Sequence, residues 1–203
     1  MISMKFEKLD IKKHSVHKVA ELLYETDHDI FNFFYHNKSN TAKILEKLIE
    51  LGGNNLGHEN ICVVTENDTV IGVLLYSVGD HDAFYELMFH FKNLNFIDAL
   101  KFSLIDLKDS LVLAHLLDGD FYLAGVAVDE EFRGWGIGGL ILDHGIKMAK
   151  KRGCKRVVLD VALDNHGAKR LYEKTGFKVF DKRSYPWFDG RIGMYNMEII
   201  CIK

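Results

Sequence analysis

Seven consecutive residues, Arg133-Gly134-Trp135-Gly136-Ile137-Gly138-Gly139, carry the clearest chemistry in the chain. They follow a β-branched-rich run at 121–128 (FYLAGVAV) and open an apolar helical pattern at 137–152. Glycines let a backbone come close to a ligand and adopt positive φ. Successive N–H groups and a helix N-terminus then form an anion cradle. Arg133 adds a fixed charge with fork geometry. A pyrophosphate suits such a loop; without a ligand it would be a tight strand–helix connection. The chain has no G-x-x-x-x-G-K-[ST] phosphate loop. Gly134, Gly136 and Gly139 fit G-x-G-x-x-G, but hairpin strands and long helices precede them where that motif needs parallel βαβ units.

The elements that must position this loop are read from periodicity. Residues 4–9 form a first strand. Residues 16–35 are helical, with apolar clusters at Val19, Ala20, Leu22, Leu23 and at Ile30, Phe31, Phe33, Phe34. Residues 41–51 form an amphipathic helix ended by Gly52-Gly53. Residues 61–65 and 69–76 form a hairpin around Glu66-Asn67-Asp68. Residues 82–117 are helical, with one stripe at Ala83, Phe84, Leu87, Met88, Phe91 and a second at Ile97, Leu100, Leu104, Ile105. The helix at 137–152 turns Leu140, Ile141 and Met148 inward. Strands at 156–161, 177–183 and 191–202 flank a short helix at 166–175, with Gly176 at its C′ position. This order predicts an α/β chain of the α+β type, with a mixed, mostly antiparallel sheet and helices on both faces. The segment 82–117 is long for a connection between two strands, which marks it as an insertion before strand four that shapes function.

The totals bound the class. The 203 residues are 48% hydrophobic and 27% charged, which predicts a folded domain with a sizeable core. One continuous domain, 1–203, is expected, because no repeat, low-complexity tract or linker interrupts the chain. A net charge of −3 gives no basic excess for nucleic acid. No apolar h-region opens the sequence, and VIGVLLY is too short to span a bilayer, so a cytoplasmic protein with no membrane partner is expected. Three widely spaced cysteines, Cys62, Cys154 and Cys201, fit neither a disulfide framework nor a metal motif. The ten histidines include no H-x-x-x-H or H-E-x-x-H spacing, so no metal is predicted.

The loop resembles the R/Q-x-x-G-x-G/A signature of the GNAT N-acetyltransferase superfamily, with Arg133, Gly136 and Gly138 at the signature positions. Asn165, Ala168, Leu171, Tyr172, Gly176 and Phe177 also match that family's N-x-x-A-x-x-L-Y-x-x-x-G-F pattern. The two motifs agree in order and spacing over 121–180, the segment expected to bind acetyl-CoA. The resemblance implies the GNAT fold, with the sheet splayed between strands four and five. It implies that the backbone of Val126, Ala127 and Val128 holds the pantetheine arm. Gly134, Trp135, Ile137 and Gly139 join the signature residues around the pyrophosphate, with Asn165 and Ala168 near the sulfur. It implies acetyl-CoA as co-substrate and direct attack by an amine in a ternary complex.

In that setting Tyr172 is the candidate acid for the departing thiolate, since a phenol can donate to it. A core aromatic is the structural alternative for Tyr172, and a helix N-cap for Asn165. The general base is less defined. Relatives that use a strand-four glutamate place it where Tyr122 stands. The ribosomal-protein alanine acetyltransferases, similar in the last third and in an R-x-x-Y ending like Arg183-Ser184-Tyr185-Pro186, place a glutamate where Asp160 stands. A water relay from Asp160 or Tyr122 is one reading; a carboxylate paired with Lys or Arg is the other. The acceptor side is expected from 24–36, where Glu25, Asp27 and Asp29 adjoin aromatics, and from 184–192. A small-molecule amine is the expected acceptor. A peptide or lysine amine, or a CoA-binding sensor without catalysis, are the alternatives. Cys154 reads as structural. The aromatics of 82–117 are too many for one stripe, so that segment is expected to shape the acceptor site or a homodimer interface, most of them packing on the sheet.

Overall fold

A computed structural model describes residues 4–35, 37–79, 83–185 and 192–201. Its strands are β1 (Met4–Lys8), β2 (Ile61–Glu66), β3 (Thr69–Val78), β4 (Asp120–Val128), β5 (Arg156–Ala162), β6 (Lys178–Ser184) and β7 (Gly193–Ile200). Its α-helices are α1 (Val16–Thr26), α2 (His28–Tyr35), α3 (Lys38–Leu51), α4 (Ala83–Asn93), α5 (Phe96–Asp109), α6 (Ile137–Lys151) and α7 (His166–Thr175). The sheet has seven strands in the order β1-β2-β3-β4-β5-β7-β6. β1–β2, β2–β3, β5–β7 and β6–β7 are antiparallel and β4–β5 is parallel. The parallel ladder runs only from Asp120↔Arg156 to Leu123↔Leu159, while β4 continues to Val128. The mixed sheet expected from the sequence is present.

The chain divides into two compact units, Met1–Ser77 with Ala124–Gly145, and Val78–Leu123 with Ile146–Lys203. In the first, helices cover both sheet faces. A Cβ built on Gly72 would meet Ile141 of α6 at 3.0 Å, whereas one on Gly125 would meet Thr26 of α1 at 3.2 Å and Leu75 at 3.6 Å. Residues 72 and 75 have opposite parity on β3, and side chains alternate along a strand. So α1 and α6 lie on opposite sides. The core between them includes Val19, Leu23, Leu45, Ile61, Val73 and Ile141, all buried.

The second unit repeats the logic on β7. On the odd residues, Lys169 of α7 sits 5.1 Å from the Tyr195 ring. A Cβ on Gly176, past the end of α7, would approach Ile199 to 3.8 Å. On the even residues, the Asn196 side chain donates to the carbonyl of Val112, at the end of the 82–117 segment (3.0 Å). One end of this unit is tied by Arg156. It donates to Asp120 through Nε (3.0 Å) and Nη2 (2.6 Å) and to Glu198 through Nη1 (2.9 Å). These carboxylates hold the guanidinium pKa above its usual value, Asp120 most of all.

Three local expectations change. The helix at 16–35 breaks at Asp27, whose non-helical backbone (φ −149°, ψ 50°) ends α1. The insertion is two helices, because Asn95 caps a new start by accepting from the Asp98 N–H (2.9 Å); after α5 the chain returns through turns and extended backbone. Leu140 is 42% exposed, because α6 turns Ile137, Ile141, Leu142 and Ala149 inward and Leu140 lies on the opposite side. The stripes of the insertion also depart from expectation. Ala83, Phe84, Leu87, Met88, Phe91, Ile97, Leu100 and Leu104 are exposed, and the residues that α4 buries are Glu86 and His90. Within the hairpin, His90 lies 3.9 Å from Glu86 and 3.6 Å from Asp106. Burial holds the imidazole pKa down and pushes the Asp106 carboxyl up to about 6. His90 also packs on the Phe102 ring of α5 at 5.3 Å, so α4 turns Glu86 and His90 inward and leaves its apolar side outward.

Candidate functional site

In the first unit the residues 133–136 are exposed and lead directly into α6. Gly134 and Gly136 have φ of +83° and +78°, and a Cβ at either would meet no atom within 4 Å. Only glycine adopts that backbone cheaply. Ile137 is buried and anchors the first turn of α6. The first N–H groups of a helix have no intrahelical acceptor, and the helix dipole adds partial positive charge there. Arg133 is fixed by its Nε, which donates to the Val128 carbonyl at the end of β4 (3.1 Å). Trp135 is exposed and tilts against Phe132 at 6.1 Å. An open, positive-φ loop ahead of a long helix, with one arginine fixed beside it, fits a polyanion such as a pyrophosphate. Gly138 and Gly139 are half-buried in the first turn of α6.

Two of the acidic residues next to this loop, Asp129 and Glu25, are paired with lysines. Lys18 of α1 pairs with Asp129 and holds its carboxyl below the usual range, helped by the Glu131 N–H. Lys38 donates to Glu25 at 2.6 Å and lowers its pKa, with Arg133 adding to the effect. These six residues, with Glu21, line a cleft of about 310 Å³. Lys38 also lies 5.4 Å from the centre of the Tyr24 ring. The carboxylate–aromatic arrangement expected around 24–36 thus already holds a cation belonging to the chain itself. Asp27 serves as the C-cap of α1, and Asp29 pairs with His28 at 3.1 Å. Of the strand-four backbone candidates, Val126 and Val128 are half-buried and Ala127 is buried. The aromatic loop expected at 184–192 lies outside the described residues from 186 to 191.

The second unit brings Tyr122 and Asp160 together, 2.9 Å apart, with Tyr122 donating. Asp160 also accepts from the Ala114 N–H (3.2 and 3.3 Å) and from Asn196. Burial raises its pKa; Asn196, the Ala114 N–H, Tyr122 and the charge of Arg183 oppose the rise. Asp160 is therefore neither a free carboxylate nor a member of a direct Lys or Arg pair. Arg183 uses Nη1 to hold the Leu113 carbonyl (2.9 Å) and Nε to pair with Asp181 (2.9 Å). Asn196, Asp160 and Arg183 together fix the backbone of Val112, Leu113 and Ala114, so the end of the insertion covers this cluster. Sequence reasoning missed Asn196 and the 112–114 segment. A polar Asn196 inside the strand-like run GMYNMEII was the available signal; the structure buries it fully.

Tyr172 is half-buried on α7 and meets Phe177 edge-on at 6.1 Å. Burial pushes its hydroxyl pKa up to about 12, further from the neutral range in which a phenol is already protonated. Asn165 caps α7, its side-chain oxygen accepting from the Ala168 N–H at 3.0 Å. The cap uses Oδ1 and leaves Nδ2 out of it. Cys154 is a buried thiol whose pKa burial raises, the opposite of an activated nucleophile. Among the described residues no group of three or more His, Cys, Asp or Glu is arranged to hold a metal ion. Among them, too, no helix is long and apolar enough to cross a membrane.

A mixed sheet with a parallel β4–β5 pair, and an exposed glycine-rich loop between β4 and a long helix, are the features of the acetyltransferase class that the sequence motifs resemble. The profile of the Acetyltransferase (GNAT) family matches residues 21–177, and the chain belongs to that family, whose members use acetyl-CoA. It is 37% identical over 71 residues to the [Ribosomal protein bS18]-alanine N-acetyltransferase of Escherichia coli, covering 34% of this chain and 48% of that protein. It is 36% identical over 64 residues to the mycothiol acetyltransferase of Corynebacterium aurimucosum, covering 32% and 20%. With N-alpha-acetyltransferase 30 of Schizosaccharomyces pombe it shares 34% over 67 residues, covering 33% and 44%. The matched stretches thus span between a fifth and about half of these relatives. Among solved structures, an N-acetyltransferase from Staphylococcus aureus superposes with a TM-score of 0.69 at 15% identity, covering 96% of this chain and all of that one. Another acetyltransferase superposes at 0.66 with 21% identity, covering 98% and 100%. At these identities the likeness is one of fold.

Proposed function

We propose that the chain is an acetyl-CoA-dependent N-acetyltransferase that passes an acetyl group to a primary amine by direct attack in a ternary complex. Both compact units contribute residues to the family match over 21–177, which supports a single N-acetyltransferase domain over 1–203. The observation that carries the reading is the exposed loop with two positive-φ glycines ahead of α6, beside the fixed Arg133. Bound there, acetyl-CoA supplies an activated acyl group on a thiol leaving group. Arg133 and the N–H groups of 134–139 bind the pyrophosphate, and Val126, Ala127 and Val128 offer main-chain groups to the pantetheine arm; Asn165 and Ala168 are assigned to the thiol end by the family motif they match. Tyr172 holds a proton through the neutral range and donates it to the thiolate as that charge develops. Asp160, with Tyr122, accepts the amine's proton through a water, since its own oxygens are engaged by three donors.

A compact amine is the favoured acceptor. The support is that Val112–Ala114 closes over the Tyr122–Asp160 pair, which restricts the room beside the base. Protein N-terminal amines form a second reading, because two of the relatives above are by name alanine and N-alpha acetyltransferases. Steady-state release of free CoA is the test, with polyamines and aminoglycosides in one arm and short peptides with free or blocked N-termini in the other. Turnover with small amines at kcat/KM at least about 10⁴ M⁻¹s⁻¹, the lower end for ordinary enzymes, supports the first reading. Turnover confined to free-N-terminal peptides supports the second. Binding of acetyl-CoA with no turnover in either arm would make the chain a sensor and not an enzyme.

A further inference from the structure

We infer that α5 is the dimerisation helix of this protein, pairing with α5 of a second copy of the chain. Its outward residues are Ile97, Leu100, Leu104 and Leu107, continued past its end by Leu111, and their spacing is 3-4-3-4. That is the a/d repeat of a coiled-coil seam, the narrow stripe that inserts into an equal stripe on another helix. A helix that packs only on its own domain carries a single buried stripe. α5 already has one: Ala99, Phe102 and Ile105 are buried on the other side. The seam is thus a second apolar stripe, and its five residues are 43–64% exposed.

The area fits a dimer. With Phe96 at its start, the seam leaves roughly 550 Å² of apolar surface in water, taking about 170 Å² per large side chain. Homodimer interfaces are about 65% apolar, so this surface corresponds to an interface of about 850 Å² per protomer, close to the roughly 800 Å² of a stable complex. Phe91 of α4 extends the surface, 5.9 Å from Phe96 across the hairpin turn. An identical copy is the occupant that the seam suits. It consists only of Ile and Leu, so no charge opposes its twin, and a closed two-fold pairing buries both seams at once. A lipid surface is disfavoured, because α5 carries Asp98, Asp106 and Asp109 against Lys101 and Lys108, with no cationic excess to meet anionic headgroups.

Sedimentation equilibrium of the full chain tests this. The expected mass is twice the 23.3 kDa of one chain at low micromolar concentration. Leu104→Glu and, separately, Leu107→Glu each place a charge in the seam. Both sites are exposed in the monomer, so each variant should keep its circular dichroism and acetyl-CoA affinity. Each should weaken dimerisation by on the order of 100-fold, the effect of losing a central apolar contact. A wild-type chain that stays monomeric at about 100 μM, far above the dissociation constants of stable complexes, overturns the proposal. So does a dimer that neither substitution weakens. Monomeric protein that co-sediments with phosphatidylcholine–phosphatidylserine vesicles overturns it too, and assigns the seam to lipid.

Discussion

At the scale of single residues, the proposed chemistry rests on protonation states set by burial. Tyr172 holds its proton at neutral pH, as an ordinary phenol does, and its partial burial pushes the hydroxyl pKa further up, to about 12. Tyr172→Phe keeps the edge contact with Phe177 and removes only the donor. We expect kcat to fall by about 100-fold or more, the usual worth of a general acid, with the KM for acetyl-CoA nearly unchanged. Pre-steady-state and steady-state release of CoA measure this, and a wild-type rate in the variant assigns the proton to water or another group. Asp160 is shifted in the same direction, with the opposite consequence for its proposed role. Burial raises its carboxyl pKa, and a base acts only when ionised, so activity should rise with pH through that raised value. The acceptor amine must lose a proton as well. At the acid end, log kcat/KM should therefore climb with a slope approaching two, falling to one in Asp160→Asn. An unchanged slope in that variant removes Asp160 from proton transfer.

At the scale of elements, the loop between β4 and α6 turns on backbone conformation. Gly136 at φ +78° has open space where a Cβ would stand, so a substitution there meets strain and not a clash. A non-glycine residue held in this region costs about 1–2 kcal/mol. Gly136→Ala relieves that strain by letting the loop relax, which rotates the N–H groups away from a common centre. We expect acetyl-CoA affinity to drop by about tenfold or more, which 1.4 kcal/mol produces, while the melting temperature moves by a few degrees at most. Calorimetry that finds unchanged affinity in the folded variant removes the pyrophosphate from this loop. The same scale explains the clasp at 112–114. Three side chains from β5, β6 and β7 hold three consecutive backbone groups of the insertion, so its end is fixed independently of the apolar surface on its helices.

At the scale of the whole molecule, much was legible in the sequence because it is local. The glycine loop, its strand and its helix stand within about thirty residues, and the motif around Tyr172 within thirteen, so spacing alone reports them. Seven strands and most helix limits follow from alternation, caps and turn residues. The positive φ of Asn67 and Asp68 in the β2–β3 turn follows in the same way. The tertiary structure decided what depends on residues far apart in the chain. Asp160 meets Ala114, 46 positions earlier, and Asn196, 36 positions later, and nothing in the local pattern of any of the three foretells the meeting. Periodicity shows that a helix has an apolar stripe but not which way the stripe faces. In α4 the structure turns Glu86 and His90 inward and leaves the apolar stripe outward, while α5 buries Ala99, Phe102 and Ile105 and leaves a second stripe exposed. The sequence by itself determined the family, the glycine-rich loop and the order of elements. Only the three-dimensional packing determined which carboxylate is enclosed and which hydrophobic residues face water, because burial depends on every neighbour at once.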